Sequence, residues 1–392
     1  MIKLRISTLM ATTALVLAAC GGTGTSATPS VSLPTSVGEG EGALTVLAWP
    51  GYAEDGSTQP DVDWVQPFEK ATGCQVDVTT FGTSDEAYQL FTSGSGATYD
   101  VISASGDASL RLVAGGNVQP VNTDLVPNYA DIFPSLKDKP WNTVDGVHYG
   151  IPHGRGANLL MWRTDTVTSA PDSWGVVFDE NSPYKGKVTA YDAPIYIADA
   201  AVYLMATQPD LKITNPYALD QAQFDASVAL MKKQRTVIGE YWSDYTKEIE
   251  AFTNGNSVVG TSWQIIANLL QAQDPPAPVK AIKPKEGSTG WSDTWMINSK
   301  TKHLNCAYKW LNHIVSPSVN AQVAEWFGEA PANQKSCDLT ADKNHCTTFQ
   351  AAETNWNDVY YWTTPTKTCL DGRGDICVGF DKWIQAWTEI KG

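Results

Sequence analysis

An α/β fold of two lobes with a ligand cleft between them is what the sequence predicts, and three observations carry that prediction. Short apolar runs of strand character alternate with amphipathic helices along most of the chain, the pattern of a mainly parallel sheet covered by helices. The alternation runs twice, from Ala43 to about 150 and again from near His153, and 392 residues suffice for two or three domains of roughly 100–200 residues each. Aromatic side chains beside carboxylates recur at the ends of the expected strands, which is where ligands of open α/β sheets sit.

The elements follow in order. Leu44–Trp49 (LTVLAW) is a continuous apolar run and reads as a buried strand. In Trp64–Thr72, the residues Trp64, Val65, Phe68 and Ala71 share one helical face, and Gly73 ends the helix. Gln75–Phe81 alternates as a half-buried strand. Ser84 is expected to cap a helix through Phe91, with Asp85 and Glu86 suiting its positive end. Tyr99–Ser105 is the next strand, and Asp107 caps a helix ended by Gly115-Gly116. In the second series, Lys187–Ala193 is a strand, and Ala198–Ala206 and Asp220–Arg235 are helices. Asn256–Trp263 is a strand that feeds the helix Gln264–Gln273, which Pro275-Pro276 stops. Thr294–Asn298 (TWMIN) is a strand, and helices follow over Cys306–Ile314 and Ser318–Trp326. The tail from Asn333 to Gly392 reads as irregular, aromatic and doubly stapled. There is no internal sequence repeat.

The N-terminus carries an address. Lys3 and Arg5 precede an apolar stretch too short to span as a stable helix, so residues 1–19 read as an export signal. Leu17-Ala18-Ala19-Cys20 before Gly21-Gly22 resembles the bacterial lipoprotein box, which implies cleavage before Cys20 and lipid on its thiol. Residues 20–42, rich in Gly, Ser, Thr and Pro, form a flexible tether with an end-to-end distance of roughly 25 Å. No later stretch reaches about 18 apolar residues. The expected location is the outer, extracytoplasmic face of the cell membrane, in the periplasmic space or on the cell-wall side.

Six cysteines remain after Cys20, an even number that outside the cytosol suggests disulfides. The short spacings favour Cys337–Cys346 and Cys369–Cys377, leaving Cys74–Cys306. A zinc site is disfavoured, because there is no CxxC and His345 has no second His at ligand spacing. The net charge of −15 leaves no spare Lys and Arg to neutralise phosphates, so nucleic acid is not an expected partner; the field attracts cations.

Catalytic signatures are absent: there is no GxSxG, HExxH or P-loop, and Gly154-Arg155-Gly156 is not a dinucleotide fingerprint. No cofactor or metal is called for. Asp371–Asp375 (DGRGD) reads as a turn inside the Cys369–Cys377 loop, and an adhesion role for it would leave the cleft unexplained. The chemistry lies instead in Trp49 and Tyr52, Ser103 and Ser105, Tyr191-Asp192 with Tyr196 beyond, Trp263, and Trp291-Ser292-Asp293. A carboxylate makes charge-assisted bonds to ammonium. Trp and Tyr faces add cation–π attraction of about 0.5–2 kcal/mol each and cover methylenes without needing polar partners. With 15 Trp in the chain, most must serve packing; Trp291 with Asp293 two residues on is the pair most suited to binding.

At these residues the chain resembles the extracellular solute-binding proteins of ABC importers, in particular the spermidine/putrescine class. The resemblance covers roughly Leu44 to Asn333 and rests on an ordered set: AWPGY, FEKATGCQVDVTTFGTSDE, YDVISASGDASLRLVAGGNVQPV, YKGKVTAYDAP, GTSW, KPKEGSTGWSDTWMIN and WFGEAPAN. It implies the two-lobed periplasmic-binding-protein fold, with lobes joined by hinge crossovers near Tyr149–His153, Gly290 and Pro331–Lys335. Lobe one would hold 43–150 and 291–333, and lobe two 151–290 with the disulfide-rich tail 334–392. It implies that Trp49 and Tyr52 line the alkyl chain, Ser103 and Ser105 form a polar strand end, Asp192 pins one end of the ligand, Trp263 is a second wall, and Asp293 pins another amine beside Trp291. The chain departs from the pattern at Ile195, where spermidine binders can place a second acid, and at Glu329, where Tyr is frequent. The implied function is capture of a small organic cation, such as spermidine or putrescine, by a monomeric lipoprotein that delivers it to a membrane permease, without catalysis. The alternatives are a receptor for an amino-acid-like or quaternary amine, and, from another class, a surface hydrolase using Asp192 and Asp293 as acid and base.

Overall fold

The computed structural model describes residues 33–94 and 98–392. The expected signal peptide, Cys20 and most of the tether lie outside the described residues. No helix among the described residues is long and apolar enough to cross a membrane.

Two sheets organise the chain. In the first, Ala43–Ala48 lies between Gln75–Thr80 and Val101–Ala104, parallel to both. Thr294–Asn298 returns late in the sequence and joins antiparallel beside Val101–Ala104. Leu44, Val46, Leu47 and Ala48 are fully buried, as a continuous apolar run in a central strand requires. The second sheet runs in the order Ile238–Trp242, Val188–Tyr191, Val259–Ser262, Leu159–Arg163, Val279–Ile282; the first three are parallel and the last two join antiparallel. Mixed helix-and-sheet lobes of this kind are the α/β architecture expected.

A third sheet lies where the chain passes between the two. Gly150–Pro152 pairs with Thr294–Asn298 in the first sheet; after His153 the chain enters Gly154–Ala157 and then Leu159–Arg163 of the second. Ser288–Trp291 makes the return crossing, and the two crossings pair antiparallel at Gly290 with Ala157 and Trp291 with Gly156. Ala330–Pro331 and Val359–Tyr361 close the sheet on either side.

Helix starts differ from expectation in an informative way. Thr83, not Ser84, is the N-cap, its hydroxyl accepting from the Glu86 N–H, and Ser84 is the first helical residue. The helix Gly106–Ala114 begins one residue before Asp107; Ser105 holds the cap position but makes no side-chain cap bond, because its hydroxyl is used elsewhere. Gln221–Gln234 starts from a capping box of Asp220 and Gln223.

The tail is not irregular throughout, nor does it belong as one piece to the second lobe. Its first part packs on the third sheet and on the first lobe, where Lys335 pairs with Asp131 and Glu353 accepts from the Ser135 N–H. Thr364 then bonds the carbonyls of Gly106 and Asp107. Near its end the chain forms the helix Phe380–Lys391, whose Phe380, Trp383, Ala386, Trp387 and Ile390 enter the core of the second lobe. That spacing is helical, and the sequence reading passed over it. Disulfides join Cys74 to Cys306, Cys337 to Cys346 and Cys369 to Cys377. The first clips the end of the helix Val65–Thr72 to the helix Leu304–Ile314.

Trp383 is fully buried against the second lobe, with its indole N–H on the Val378 carbonyl. Replacing Trp383 with Ala should cost about 3–5 kcal/mol in urea unfolding, as for other large-to-small core changes. A loss below about 1 kcal/mol would mean that the terminal helix is not part of the core.

Candidate functional site

Asp293 follows the return crossing and is 3% exposed. Its Oδ1 accepts from the Ser105 hydroxyl at 2.5 Å and its Oδ2 from the Tyr52 hydroxyl at 2.8 Å. Both partners sit just after strands of the first sheet, so the parallel register of Ala43–Ala48 and Val101–Ala104 brings distant segments onto one carboxylate. Burial raises Asp293 to about 6, against the opposing pull of those two hydroxyls.

Behind Tyr52 lies a second carboxyl. Glu329 is fully buried, with Oε2 at 3.0 Å from the Tyr52 hydroxyl and Oε1 at 3.4 Å from His153 Nδ1. Tyr52 has one hydroxyl hydrogen and cannot donate it to two carboxylates. Burial and the adjacent Asp293 charge push Glu329 well above the usual carboxyl range. Glu329 is therefore a neutral acid that donates to the Tyr52 oxygen, while Tyr52 donates to Asp293. Burial lowers His153 to about 3, so its ring is neutral; it packs edge-on against Tyr52 at 4.3 Å. Gly154 makes room for this arrangement, since a Cβ there would meet the Glu329 carboxyl at 2.1 Å. Gly156 does the same for Trp291, whose indole would lie 2.3 Å from an added Cβ.

Asp293 opens on a small space lined by Trp49, Ser105, Tyr191, Trp263, Trp291, Phe327 and Trp362. Trp49, Ser105 and Phe327 come from the first lobe, Tyr191 and Trp263 from the second, Trp291 from the crossing and Trp362 from the tail. The rings brace one another: Tyr191 stacks on Trp362 at 5.4 Å, and Trp291 meets Phe327 edge-on at 5.7 Å. Trp263 is held by its indole N–H on Asn158 Oδ1 at 2.9 Å. Asn158 in turn donates to the Thr289 hydroxyl, which donates to the buried Asp199.

Of the residues selected from sequence, Trp49, Ser105, Trp263, Trp291 and Asp293 line this space, with Tyr52 and Glu329 directly behind Asp293. Three do not. Asp192 is held by Lys391, with Nζ 2.7 Å from each carboxylate oxygen, and by the Trp387 indole at 3.1 Å. The unforeseen terminal helix supplies both partners, so Asp192 is neutralised and withdrawn from the cleft. Tyr196 is buried in the second lobe, bonded to Gln234 and Thr261. Ser103 accepts from the Trp49 N–H and so positions that residue rather than facing the space. The sequence singles out Tyr191 only as the neighbour of Asp192, and it gives no role as walls to Phe327 and Trp362. Tyr191 had a signal, at a strand end; Trp362 had none, because only folding brings the tail there. Among the described residues the one grouping of possible metal ligands is Cys369, Asp371 and Cys377, and both sulfurs are in a disulfide.

The raised Asp293 has a measurable consequence. The folded protein keeps that proton up to about pH 6, whereas an unfolded Asp releases it near 3.9. The folded state thus loses stability as pH rises from about 4 to 6. Asp293→Asn removes the effect, so it should gain stability relative to the parent across that window, by on the order of 2–3 kcal/mol at about 1.4 kcal/mol per tenfold change in proton affinity. Contributions of the neutral His153 run the opposite way but cancel in the comparison. Thermal unfolding of both proteins between pH 4 and 8 checks this, and a constant difference would contradict it.

A spermidine/putrescine-binding periplasmic protein of Escherichia coli K12 is 23% identical over 328 residues, covering 80% of this chain and 89% of its own. A putrescine/agmatine-binding protein of Pseudomonas aeruginosa is 24% identical over 290 residues, covering 70% of this chain and 76% of its own. The solved structure of the Tp0655 (TpPotD) lipoprotein of Treponema pallidum superposes with a TM-score of 0.71 at 14% identity, covering 89% of this chain and 99% of its own. Residues 63–351 match the family model for bacterial extracellular solute-binding proteins, and the chain belongs to that family.

Proposed function

We propose that this chain is the substrate-binding lipoprotein of an ABC importer and captures a small organic cation of the polyamine class. One observation carries the reading: a buried, hydroxyl-bonded carboxylate, Asp293, opens on a space walled by aromatic rings from both lobes. A carboxylate with aromatic faces is the environment that holds an alkylammonium group. Relatives named for spermidine, putrescine and agmatine binding support the ligand class. The sequence supports lipid on Cys20, anchoring on the extracytoplasmic face, and a monomer that meets a membrane permease. Ligand contacts to both walls favour the closed arrangement of the lobes and supply the differential affinity that hinge closure needs.

The hydrolase alternative loses its second acid, because Asp192 is paired with Lys391. A receptor for a quaternary amine stays as the second reading, on the observation that several rings surround a single carboxylate.

Asp293→Asn should retain the fold and weaken binding of putrescine or spermidine by about 2–5 kcal/mol in calorimetry, as for loss of a buried charged hydrogen bond. Small-angle scattering and Trp fluorescence should both change when ligand saturates the parent. Equal affinity in the two proteins would remove Asp293 from the site, and a neutral sugar that produced the same changes would move the substrate to another class.

A further inference from the structure

We propose that the tail segment 362–364 is a latch between the lobes, in which Thr364 and Gly106 are positioning residues that govern how long a bound amine is retained. The inference rests on the amine-receptor reading above and concerns the release of ligand from that same site.

Three successive residues of the tail meet both lobes. Trp362 lines the ligand space and belongs to the core of the second lobe, where it stacks on Tyr191 at 5.4 Å. Its backbone N–H donates to the Gly290 carbonyl of the return crossing at 2.7 Å. Two residues on, Thr364 is buried against the first lobe. Its N–H donates to the Gly106 carbonyl at 2.9 Å, and its hydroxyl donates to the Asp107 carbonyl at 2.9 Å. Gly106 and Asp107 open the helix Gly106–Ala114 and directly follow Ser105, which bonds Asp293. The chain then returns to the second lobe, where the Phe380 N–H donates to the Pro365 carbonyl and Phe380 enters the core.

Gly106 is fitted to this contact. A Cβ there would lie 1.7 Å from the Trp362 carbonyl oxygen and 3.1 Å from the Trp141 Cβ, so the segment can lie against the first lobe only because residue 106 has no side chain. Three residues reach at most about 10 Å. With one end fixed to each lobe, the segment cannot stretch as the lobes part about their hinge. Either the Trp362 ring leaves Tyr191, or Thr364 leaves the Gly106 and Asp107 carbonyls. The buried indole is the stronger attachment, because it is held by apolar area as well as by its backbone bond, so the Thr364 bonds are the joint that opens. Trp362 is also a wall of the ligand space, so a ligand that packs on it stays enclosed until that joint gives way. The latch therefore acts on dissociation and not on the first encounter.

Stopped-flow Trp fluorescence with spermidine and putrescine on the parent, Thr364→Val and Gly106→Ala tests this. Thr364→Val keeps the side-chain shape and the backbone bond but removes the hydroxyl donor. It should raise the dissociation rate about fivefold and leave the association rate unchanged, the scale of one lost hydrogen bond. Gly106→Ala pushes the whole segment away and should raise the rate further. In small-angle scattering, Gly106→Ala saturated with amine should stay more open than the saturated parent. If Gly106→Ala does not fold, Thr364→Val decides the matter alone. Urea unfolding separates a latch from packing: a Thr364→Val protein that is less stable than the parent but releases amine at the parent's rate would overturn the latch and leave the receptor reading standing. A parent that binds neither amine would overturn the receptor reading, and the latch with it.

Discussion

A carboxylate taken out of water must be solvated by fixed donors or give up its charge. At Asp293 two hydroxyls do this, and much of the surrounding structure follows from that need. Ser105 turns its oxygen to Asp293 instead of capping its own helix. Tyr52 can give Asp293 its one hydrogen only because Glu329 holds a proton of its own. Glu329 can come that close only because residue 154 has no side chain. The remaining side of Asp293 meets aromatic rings, which offer no competing donor strong enough to replace a cation.

The walls of the site are attached to the strands that join the lobes. Trp291 ends one crossing and lies on Gly156 of the other. Trp263 is tied through Asn158 and Thr289 to Asp199, so a wall of the second lobe is bonded to both crossings. Rotation about these two strands would carry the rings with it.

The tail alters the chemistry of the site twice. Trp362 stacks on Tyr191 and adds a wall. The terminal helix brings Lys391 and Trp387 onto Asp192 and removes a carboxylate that would otherwise border the cleft. An elaboration at the end of the chain therefore sets both the shape and the charge of a space formed largely by earlier residues.

The α/β class, the two sheets and most helices were legible in the sequence, because hydrophobic period and Gly or Pro punctuation are local signals. TWMIN is a strand over Thr294–Asn298 wherever it packs, since each of its residues is buried. The Trp291–Asp293 element was legible for the same reason, as neighbours in sequence at a strand end. What the sequence by itself did not determine is which side chains face one another across long separations. Asp192 and Asp293 look alike as strand-end acids beside aromatics; one is buried under two hydroxyls and the other is paired with Lys391, 199 residues away. The roles of Gly154 and Gly156 likewise depend on Glu329 and Trp291, which only the packed structure brings against them. Charge state and cavity shape are properties of those distant contacts, so the tertiary structure alone decided them.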